Sequence, residues 1–379
     1  MSKFTKISLD RTPEQVQLVQ DLVAKDLTKR SDARLAMAAF IAKVAQEVIP
    51  QASTSGAVYT DLTFDQNSDA TIPLDLYRDE AAGYFNIWSQ SMLGGLPTQV
   101  THGVDEMKVQ TYSMDSAISF RYKWAEQSRL DVIAKSLTKL AQEFTIRQDA
   151  QAWTVALTVL AAATHNNKKH VGRSNTAGVL LLEDFNKLLT HAKRINASFN
   201  NGTPDPSRGR GITDLFVSPE IMEQVRAMAY QPQNTRSGAT TTSGATSIAA
   251  PESLREQVFR NGGVNELYNI NLHELLELGV GYAYNNLFDN VAGSTTYTKL
   301  DGSGSAVAFD GATEQLLIGV DATRESLIRP VEVNTETRGQ YVVEEDDSFV
   351  KRSGKFGYFM KIEEGRMCID DRCLLGLIV

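Results

Sequence analysis

Apolar residues recur at helical spacing along one uninterrupted stretch of the chain, from about Ser128 to about Ala163. The apolar positions of its first half are Leu130, Ile133, Ala134, Leu137, Leu140, Ala141 and Phe144. No proline or glycine interrupts the pattern, which predicts one helix of roughly 50 Å at 1.5 Å per residue. Charged residues stop at Asp149, and the segment that follows is almost wholly apolar. We expect a helix that is exposed at one end, buried at the other, and joins two bodies.

Residues 12–49 are also predicted to be helical. Thr12-Pro13-Glu14 has the pattern of an N-cap followed by proline at the first helical position. Apolar residues then recur at helical spacing, and the polar run Lys29–Asp32 suggests a break between two amphipathic helices. Pro50 is expected to end this arm.

Strand patterns occupy two other parts of the chain. Residues alternate between apolar and polar in Val58–Phe64, Lys108–Tyr112 and Ala117–Tyr122. The intervening stretch is broken by prolines and glycines, so we expect an extended, hairpin-like excursion with a looped tip. The segment from Ser326 to Val379 is rich in strand patterns, and its apolar last strand is expected to be docked.

The region from about Asn175 to Glu325 has the texture of an α/β domain. A helix is predicted from Leu182 to about Asn196, and short buried strands at Asp214–Val217 and Leu316–Val320. Residues 200–211, 231–250 and 292–312 are rich in Gly, Ser and other small or polar residues. We expect these three loops to lie at the surface and to contribute nothing to a core.

Composition narrows the class of protein. The 379 residues allow two or three domains, and the net charge of -8 argues against a protein that wraps nucleic acid through its phosphates. No secretory signal or membrane-length apolar run is apparent. The two cysteines, Cys368 and Cys373, are predicted to be reduced thiols. We expect a soluble product of the cytoplasm.

The sequence offers no recognisable catalytic or metal-binding pattern. His165 and His170 stand beside lysines, and the run His273–Glu277 lacks the second histidine of a zinc-protease helix. The acidic run Glu344–Asp347 is expected to be a solvated turn. We therefore predict no enzyme, no cofactor and no metal. An α/β enzyme would have only the polar loop with Arg208 and Arg210 in its favour.

Three local matches, in chain order, resemble one family. Ala117–Phe120 through Glu143–Asp149 resembles the strand that enters a spine helix, with its Glu…Arg-x-Asp ending. Thr213–Glu220 is similar to the strand and helix of an axial domain. Glu345–Lys351, leading to Lys361–Arg366, is similar to the last strand of a peripheral domain. Together they resemble the major capsid proteins of tailed bacteriophages, the Hong Kong 97 type of fold that encapsulins share.

The resemblance implies an α+β protein with a Hong Kong 97-like capsid fold. The parts that it implies are an N-terminal helical arm (1–52), an extended loop region (53–119), a spine helix in a peripheral domain (120–176), an α/β axial domain (177–325), and peripheral-domain strands with a C-terminal strand (326–379). We expect residues 1–50 to remain as a structural arm.

The same resemblance implies a structural function. The chain is expected to self-assemble as pentamers and hexamers into the icosahedral head of a tailed phage, around double-stranded DNA that it does not bind specifically. Portal and scaffolding proteins, and optionally a decoration or cement protein, are the implied partners. Assembly would occur in the host cytoplasm and the product would be a virion component, with no membrane. The alternative is an encapsulin-like nanocompartment that loads a cargo enzyme.

Two sets of apolar residues are candidates for contacts between subunits. On the extended loop they are Tyr84, Phe85, Ile87, Trp88, Met92 and Leu93. On the arm they are Val16, Val19, Leu22 and Val23. We expect the loop to rest on a neighbouring subunit, because residues 71–95 have too little apolar periodicity to fold alone.

Overall fold

The structure is a computed structural model, and it describes residues 12–22, 24–65, 68–73, 106–127, 130–165, 168–195, 211–230, 266–334, 339–345 and 355–379. Helices and strands are mixed along the chain. The helices are α1 (Pro13–Asp21), α2 (Leu27–Ala52), α3 (Tyr122–Glu126), α4 (Leu130–Ala162), α5 (Leu182–Ile195), α6 (Pro219–Tyr230) and α7 (Ala283–Ala292).

The strands of the described residues run from the end of the arm to the C-terminal segment. They are β1 (Thr60–Asp65), β2 (Thr71–Pro73), β3 (Glu106–Lys108), β4 (Tyr112–Arg121), β5 (Thr164–His165), β6 (Lys168–Lys169), β7 (Val171–Arg173), β8 (Asp214–Val217), β9 (Glu266–Leu267), β10 (Ile270–Glu274), β11 (Thr296–Tyr297), β12 (Val307–Ala308), β13 (Leu316–Val320), β14 (Leu327–Val333), β15 (Val342–Glu345), β16 (Lys355–Glu364), β17 (Met367–Cys368) and β18 (Leu374–Ile378).

The described residues divide into two compact units. Unit 1 is drawn from Met1–Ile72, Lys108–Ala152 and Ile328–Met367, and unit 2 from Pro73–Met107, Trp153–Leu327 and Cys368–Val379. The division falls inside α4, close to where the charged residues end in the sequence. The predicted long helix is therefore confirmed, as is its passage from one body to another.

The arm is helical as predicted, but its two boundaries differ from the prediction. The side chain of Thr12 caps α1 by accepting a hydrogen bond from the Gln15 amide at 3.3 Å. The break lies at residues 22–26 rather than at Lys29–Asp32, because Asp26 caps α2 by accepting from the Thr28 amide at 3.2 Å. Pro50 does not end α2, which continues to Ala52. A proline removes one helical hydrogen bond, which a helix tolerates near its end.

Unit 1 is built on a mostly antiparallel sheet. β16 pairs with β4 along its whole length, from Lys355↔Arg121 to Glu364↔Tyr112. β15 also pairs with β16, and β14 pairs with β16 at Val331↔Glu364. β1 runs parallel to β14, so that a strand from the beginning of the chain is joined to one near its end. β14, β15 and β16 lie within the segment from Ser326 to Val379 that is predicted to be rich in strands, which confirms that prediction.

The core of unit 1 has two clusters of buried apolar side chains. One brings the arm onto the sheet and α4, and contains Val19, Leu22, Ala33, Met37, Ala38, Ile41, Phe120, Leu137, Phe356 and Tyr358. The other lies between α4 and the sheet, and contains Met114, Ala141, Phe144, Val331, Tyr341, Met360 and Ile362. Leu137, Leu140, Ala141 and Phe144 of the predicted apolar face of α4 thus pack in unit 1.

A buried carboxylate collects polar groups from several elements of unit 1. Glu364 is fully buried and accepts hydrogen bonds from Arg329 Nε at 2.7 Å and the Tyr112 hydroxyl at 3.1 Å. The Gln148 side-chain amide donates to Glu364 at 3.2 Å and lies 3.3 Å from the Tyr341 hydroxyl. These hydrogen bonds join α4 to β4, β14 and β16, and they offset part of the cost of burying the Glu364 carboxylate.

Unit 2 is built on a mixed sheet in the order β7-β18-β13-β8-β10-β9. β18 lies inside this sheet, parallel to β7 and antiparallel to β13. Residues 368–379 therefore belong to unit 2, whereas the sequence grouped them with the strands of unit 1. Every residue of β18 is buried. An interior position in the sheet buries such a strand, because it then pairs with a neighbour on each side.

The core of unit 2 is formed by the sheet, α5 and α6, together with the apolar end of α4. Trp153 is 2% exposed and packs edge-on against Phe216, with ring centroids 4.8 Å apart. The predicted surface loop 292–312 departs from expectation, because β11 and β12 pair there as a hairpin. Tyr297 and Phe309 are buried against Phe288, so two aromatic side chains anchor this glycine-rich segment.

The segment after the arm is fixed to α4 by one carboxylate. Asp149 is buried and accepts hydrogen bonds from the hydroxyl groups of Ser53 and Ser55 at 2.6 and 2.7 Å. The Thr54 amide and hydroxyl donate to its other oxygen at 2.9 and 3.0 Å. Asp149, where the charged part of the predicted helix ends, thus holds the segment that leads from α2 into β1.

We expect Asp149→Asn to destabilise the full chain by about 2–3 kcal/mol in urea unfolding. The NH2 group of asparagine cannot accept a hydrogen bond and its carbonyl oxygen carries no charge, so the donors of residues 53–55 would lose one acceptor atom and a charged partner. Glu143→Gln, on an exposed face of the same helix, is the matched control and should stay within about 0.5 kcal/mol of the unchanged protein. Equal stability of the two variants would contradict the role given to Asp149.

The buried phenol of Tyr341 predicts a loss of stability at alkaline pH. Burial raises its pKa to about 12, from 10.0. The neutral phenol is favoured in the folded state, so its contribution is complete below pH 10 and is lost as the pH rises towards 12. We expect Tyr341→Phe to flatten the loss of stability in this window by about 2–3 kcal/mol. Urea unfolding over this pH range is the measurement, and an identical loss of stability in Tyr341→Phe and the unchanged protein would contradict the prediction.

Candidate functional site

The arm residues proposed from the sequence lie in the core of their own chain. Val19 and Leu22 are 2% and 0% exposed and pack in the core cluster of unit 1, with Val16 partly buried against it. Val23 is outside the described residues. Burial of this face within unit 1 leaves Val19 and Leu22 no surface to offer to a neighbour. Among the side chains of α2 that the structure describes, the large apolar ones that are exposed are Leu27 and Leu35, at 69% and 65%.

The loop candidates cannot be placed. Tyr84, Phe85, Ile87, Trp88, Met92 and Leu93 all lie outside the described residues, as do Arg208 and Arg210. Their contact with a neighbouring subunit stays a prediction.

A different apolar surface is present on unit 2, in residues 275–282 between β10 and α7. Three large apolar side chains stand in solvent within these residues: Leu276 at 54% exposure, Val280 at 40% and Tyr282 at 53%. Large apolar side chains that are closely spaced and exposed are typical of surfaces that bind another protein. We call residues 275–282 the contact loop.

The contact loop is held in place by its buried residues and main chain. Leu275 and Leu278 are buried, and the Leu275 amide donates to the Val217 carbonyl at 2.9 Å. The Gly281 amide donates to the Gly311 carbonyl at 2.9 Å. Gly281 has φ +76°, a left-handed conformation that glycine adopts without steric cost. The loop therefore presents its apolar side chains from a fixed backbone, which reduces the entropy lost on binding.

The zinc-protease-like run of the sequence lies on a strand. His273 belongs to β10, and its Nε2 is 2.8 Å from an Asp214 carboxylate oxygen. Burial alone would raise the pKa of Asp214, but hydrogen bonds from His273, Thr213 and Asn271 lower it overall. The imidazole also stacks on Phe216, at 5.0 Å between ring centroids. This arrangement is a structural pair that fixes β10 to β8.

The acidic run is part of a strand rather than a solvated turn where it is described. Glu344 and Glu345 belong to β15, and Glu345 forms an ion pair with the buried Arg34 of α2. The remaining two carboxylates of the run are outside the described residues. The solvated turn predicted for this run was therefore wrong at Glu344 and Glu345. The local sequence could not indicate the ion pair, because Arg34 lies more than 300 residues away in the arm.

Two histidines and a carboxylate converge in unit 2. His165 Nδ1 is 3.2 Å from His170 Nε2 and 3.4 Å from an Asp371 oxygen. His170 is fully buried, and burial lowers its pKa to about 4. The sequence rejected both histidines because lysines flank them. Lys169, however, is directed elsewhere, since its Nζ donates to the Thr296 carbonyl at 2.7 Å. Asp371 is about 200 residues further along the chain, so the local sequence could not predict that it lies beside the two histidines.

A surface cavity of about 430 Å³ lies beside β6 in unit 2. Lys168, Lys169, His191, Lys299 and Asp301 contribute its polar lining. Two of the lysines are engaged by main-chain carbonyls, Lys169 with Thr296 and Lys299 with Asn175. These hydrogen bonds fix the positions of the two lysines in the cavity wall. They do not pair a nucleophilic side chain with a general base.

None of the described helices combines the length and the hydropathy that crossing a bilayer requires.

No protein-family model matches the chain, and no curated protein matches it in sequence. Solved structures do. The chain is similar to the capsid protein of cyanophage P-SCSP1u (12% identity, 86% of this chain and 88% of that one, TM-score 0.41) and to that of an empty GTA particle (9% identity, 86% and 89%, TM-score 0.46).

It is also similar to the SrpI encapsulin of Synechococcus elongatus PCC 7942, at 8% identity over 72% of this chain and 75% of that one, with a TM-score of 0.38. These similar structures are thus capsids and an encapsulin. At such identities, and with TM-scores below 0.5, the function has to be argued from the chain's own residues.

We expect the double substitution Leu276→Ser and Tyr282→Ser to weaken any concentration-dependent self-association of the chain at least tenfold, because it removes two exposed apolar side chains, one of them a tyrosine, a residue type enriched among those that contribute most binding energy. Sedimentation velocity over a range of protein concentrations is the measurement. Val307→Ser, at a 50% exposed position on β12 of the same unit, is the matched control for loss of an apolar side chain. Equal association of both variants and the unchanged protein would show that the contact loop does not bind.

Proposed function

We propose that the chain is the major capsid protein of a tailed bacteriophage and assembles into the icosahedral shell that encloses double-stranded DNA. The observation that supports this most is the order of elements. A helical arm is followed by strands, the 33-residue helix α4, an α/β unit inserted after it, and a return to the strands β14–β16. This is the order of the Hong Kong 97 type of fold that the sequence resembles.

The two units fit the roles that the resemblance implies. Unit 1, with the arm, most of α4 and the long pair β4–β16, would be the peripheral domain. Unit 2, with the mixed sheet and α5–α7, would be the axial domain, which surrounds the fivefold and sixfold positions. The contact loop lies on unit 2, and its exposed apolar side chains would face neighbouring axial domains within a pentamer or hexamer. Residues 53–119 would include the extended loop that reaches across to another subunit.

The charge of the chain agrees with an enclosing shell. A net charge of -8 repels the phosphates of packaged DNA, so the genome would not adhere to the wall. Binding to DNA would then be weak and nonspecific, and enclosure would depend on closure of the shell. Portal, scaffolding and decoration proteins remain proposed partners.

The test is to express the full chain in bacteria with and without the other head proteins of its source, and to examine gradient fractions by negative-stain microscopy. We expect pentamers, hexamers or closed icosahedral shells. A monomer of 41.7 kDa at every concentration, in both expressions, would contradict the proposal.

Analysis of what the shells contain distinguishes a phage capsid from an encapsulin-like nanocompartment. Particles from the complete head system should hold nuclease-resistant DNA if the chain is a phage capsid protein. Shells that hold one abundant cargo protein and no DNA would favour the encapsulin-like nanocompartment instead.

A further inference from the structure

Three side chains of unit 2 converge on one point, although they come from distant parts of the sequence. His165 is in β5, directly after α4, and His170 follows the β5–β6 hairpin. Asp371 opens the 3-10 turn (Asp371–Cys373) that precedes β18. One potential ligand atom from each residue lies within 4.8 Å of the other two.

The proton of His170 can be placed from its surroundings. Its Nδ1 is 2.9 Å from the main-chain carbonyl of Leu374. A carbonyl can only accept, so Nδ1 carries the hydrogen and Nε2 presents a lone pair. A ring nitrogen that donates to a main-chain carbonyl while the other faces inward is the usual arrangement of a metal-binding histidine.

The lone pair of His170 is directed at His165 Nδ1, which also lies near Asp371. An Asp371 carboxylate oxygen and the unprotonated His170 Nε2 both approach His165 Nδ1. Three atoms that can each accept a hydrogen bond therefore lie close together. All three atoms are of the types that bind divalent transition metals, and they are close enough for one cation to contact all of them.

The distances suit one class of ion. Zinc bound by histidine has Zn–N bonds of about 2.0–2.1 Å, which places tetrahedral ligand atoms about 3.3–3.4 Å apart. The separations of 3.2 Å between the imidazole nitrogens and 3.4 Å from His165 to Asp371 agree with this edge length, and the ligand atoms of His170 and Asp371 lie within 4.8 Å of each other. Imidazole and carboxylate ligands suit Zn²⁺ and neighbouring transition metals, whereas Ca²⁺ and Mg²⁺ prefer oxygen alone.

We propose that His165, His170 and Asp371 form a binding site for a divalent transition metal, best suited to Zn²⁺, with three protein ligands and an open fourth position. His165 would bind through Nδ1 as its Nε2-protonated tautomer. The metal would join the hairpin after α4 to the turn before β18, and thereby fix the interior strand of the unit 2 sheet. This inference does not depend on the proposed shell function.

The full-length protein, stripped with a chelator and dialysed, is titrated with ZnCl₂ in a calorimeter. We expect one Zn²⁺ per chain and a rise of the melting temperature, because an ion that binds only the folded state stabilises it. Co²⁺ should give the intense visible absorption of a four-coordinate ion. Asp371→Asn and His165→Gln should each weaken binding at least tenfold, and both are partly exposed, so folding can be checked by circular dichroism.

His273→Gln is the matched control, since His273 also faces a carboxylate in unit 2 but belongs to no group of three ligand residues among those that the structure describes. It should bind Zn²⁺ as the unchanged protein does. The proposal fails if the unchanged protein binds no ion, in which case the three groups form only a hydrogen-bonded cluster. It also fails if Asp371→Asn and His165→Gln bind as tightly as His273→Gln, or if Co²⁺ shows six-coordinate absorption.

Discussion

The carboxylate of Asp149 is the interaction on which the arrangement of unit 1 depends. It lies near the point where α4 passes from a charged to an apolar sequence, and it takes hydrogen bonds from Ser53, Thr54 and Ser55. Those residues come directly before β1. The position of the arm, the start of the sheet and the long helix are therefore fixed relative to one another by a few buried bonds, which a charged acceptor makes strong.

Around this point, unit 1 is closed by contacts between residues far apart in the chain. Glu364 and Arg329 pair where β16 meets β14, and Gln148 reaches them from α4. Arg34 of the arm meets Glu345 of β15. Such buried charges contribute less to net stability than to the choice of a single arrangement, because leaving any one of them unpaired is costly.

Much of the fold was predictable from local pattern. The long helix and the helix beginning at Leu182 have apolar residues at helical spacing, and the strand at Leu316–Val320 is an apolar run too short for a helix. The break in the arm was predicted at the polar run Lys29–Asp32, but α2 begins before that run because Asp26 caps its first turn.

The sites were harder to predict, because they depend on tertiary partners. Val19 and Leu22 have the pattern of an amphipathic helix, but nothing in that pattern tells whether the buried face meets its own chain or another. Around His165 and His170 the local sequence shows lysine neighbours, of which Lys169 donates to the Thr296 carbonyl. Their carboxylate partner, Asp371, is joined to them only by the folding of the C-terminal segment.

The place of β18 has a consequence for the order in which the protein can be made. Because β18 lies between β7 and β13, the sheet of unit 2 has a gap until the ribosome has released residues 374–378. Unit 1 likewise needs β14 and β16 before β1 and β4 have partners. Neither unit can reach its final form during synthesis of the first 300 or so residues, so a nascent chain has no finished surface to offer to completed copies nearby.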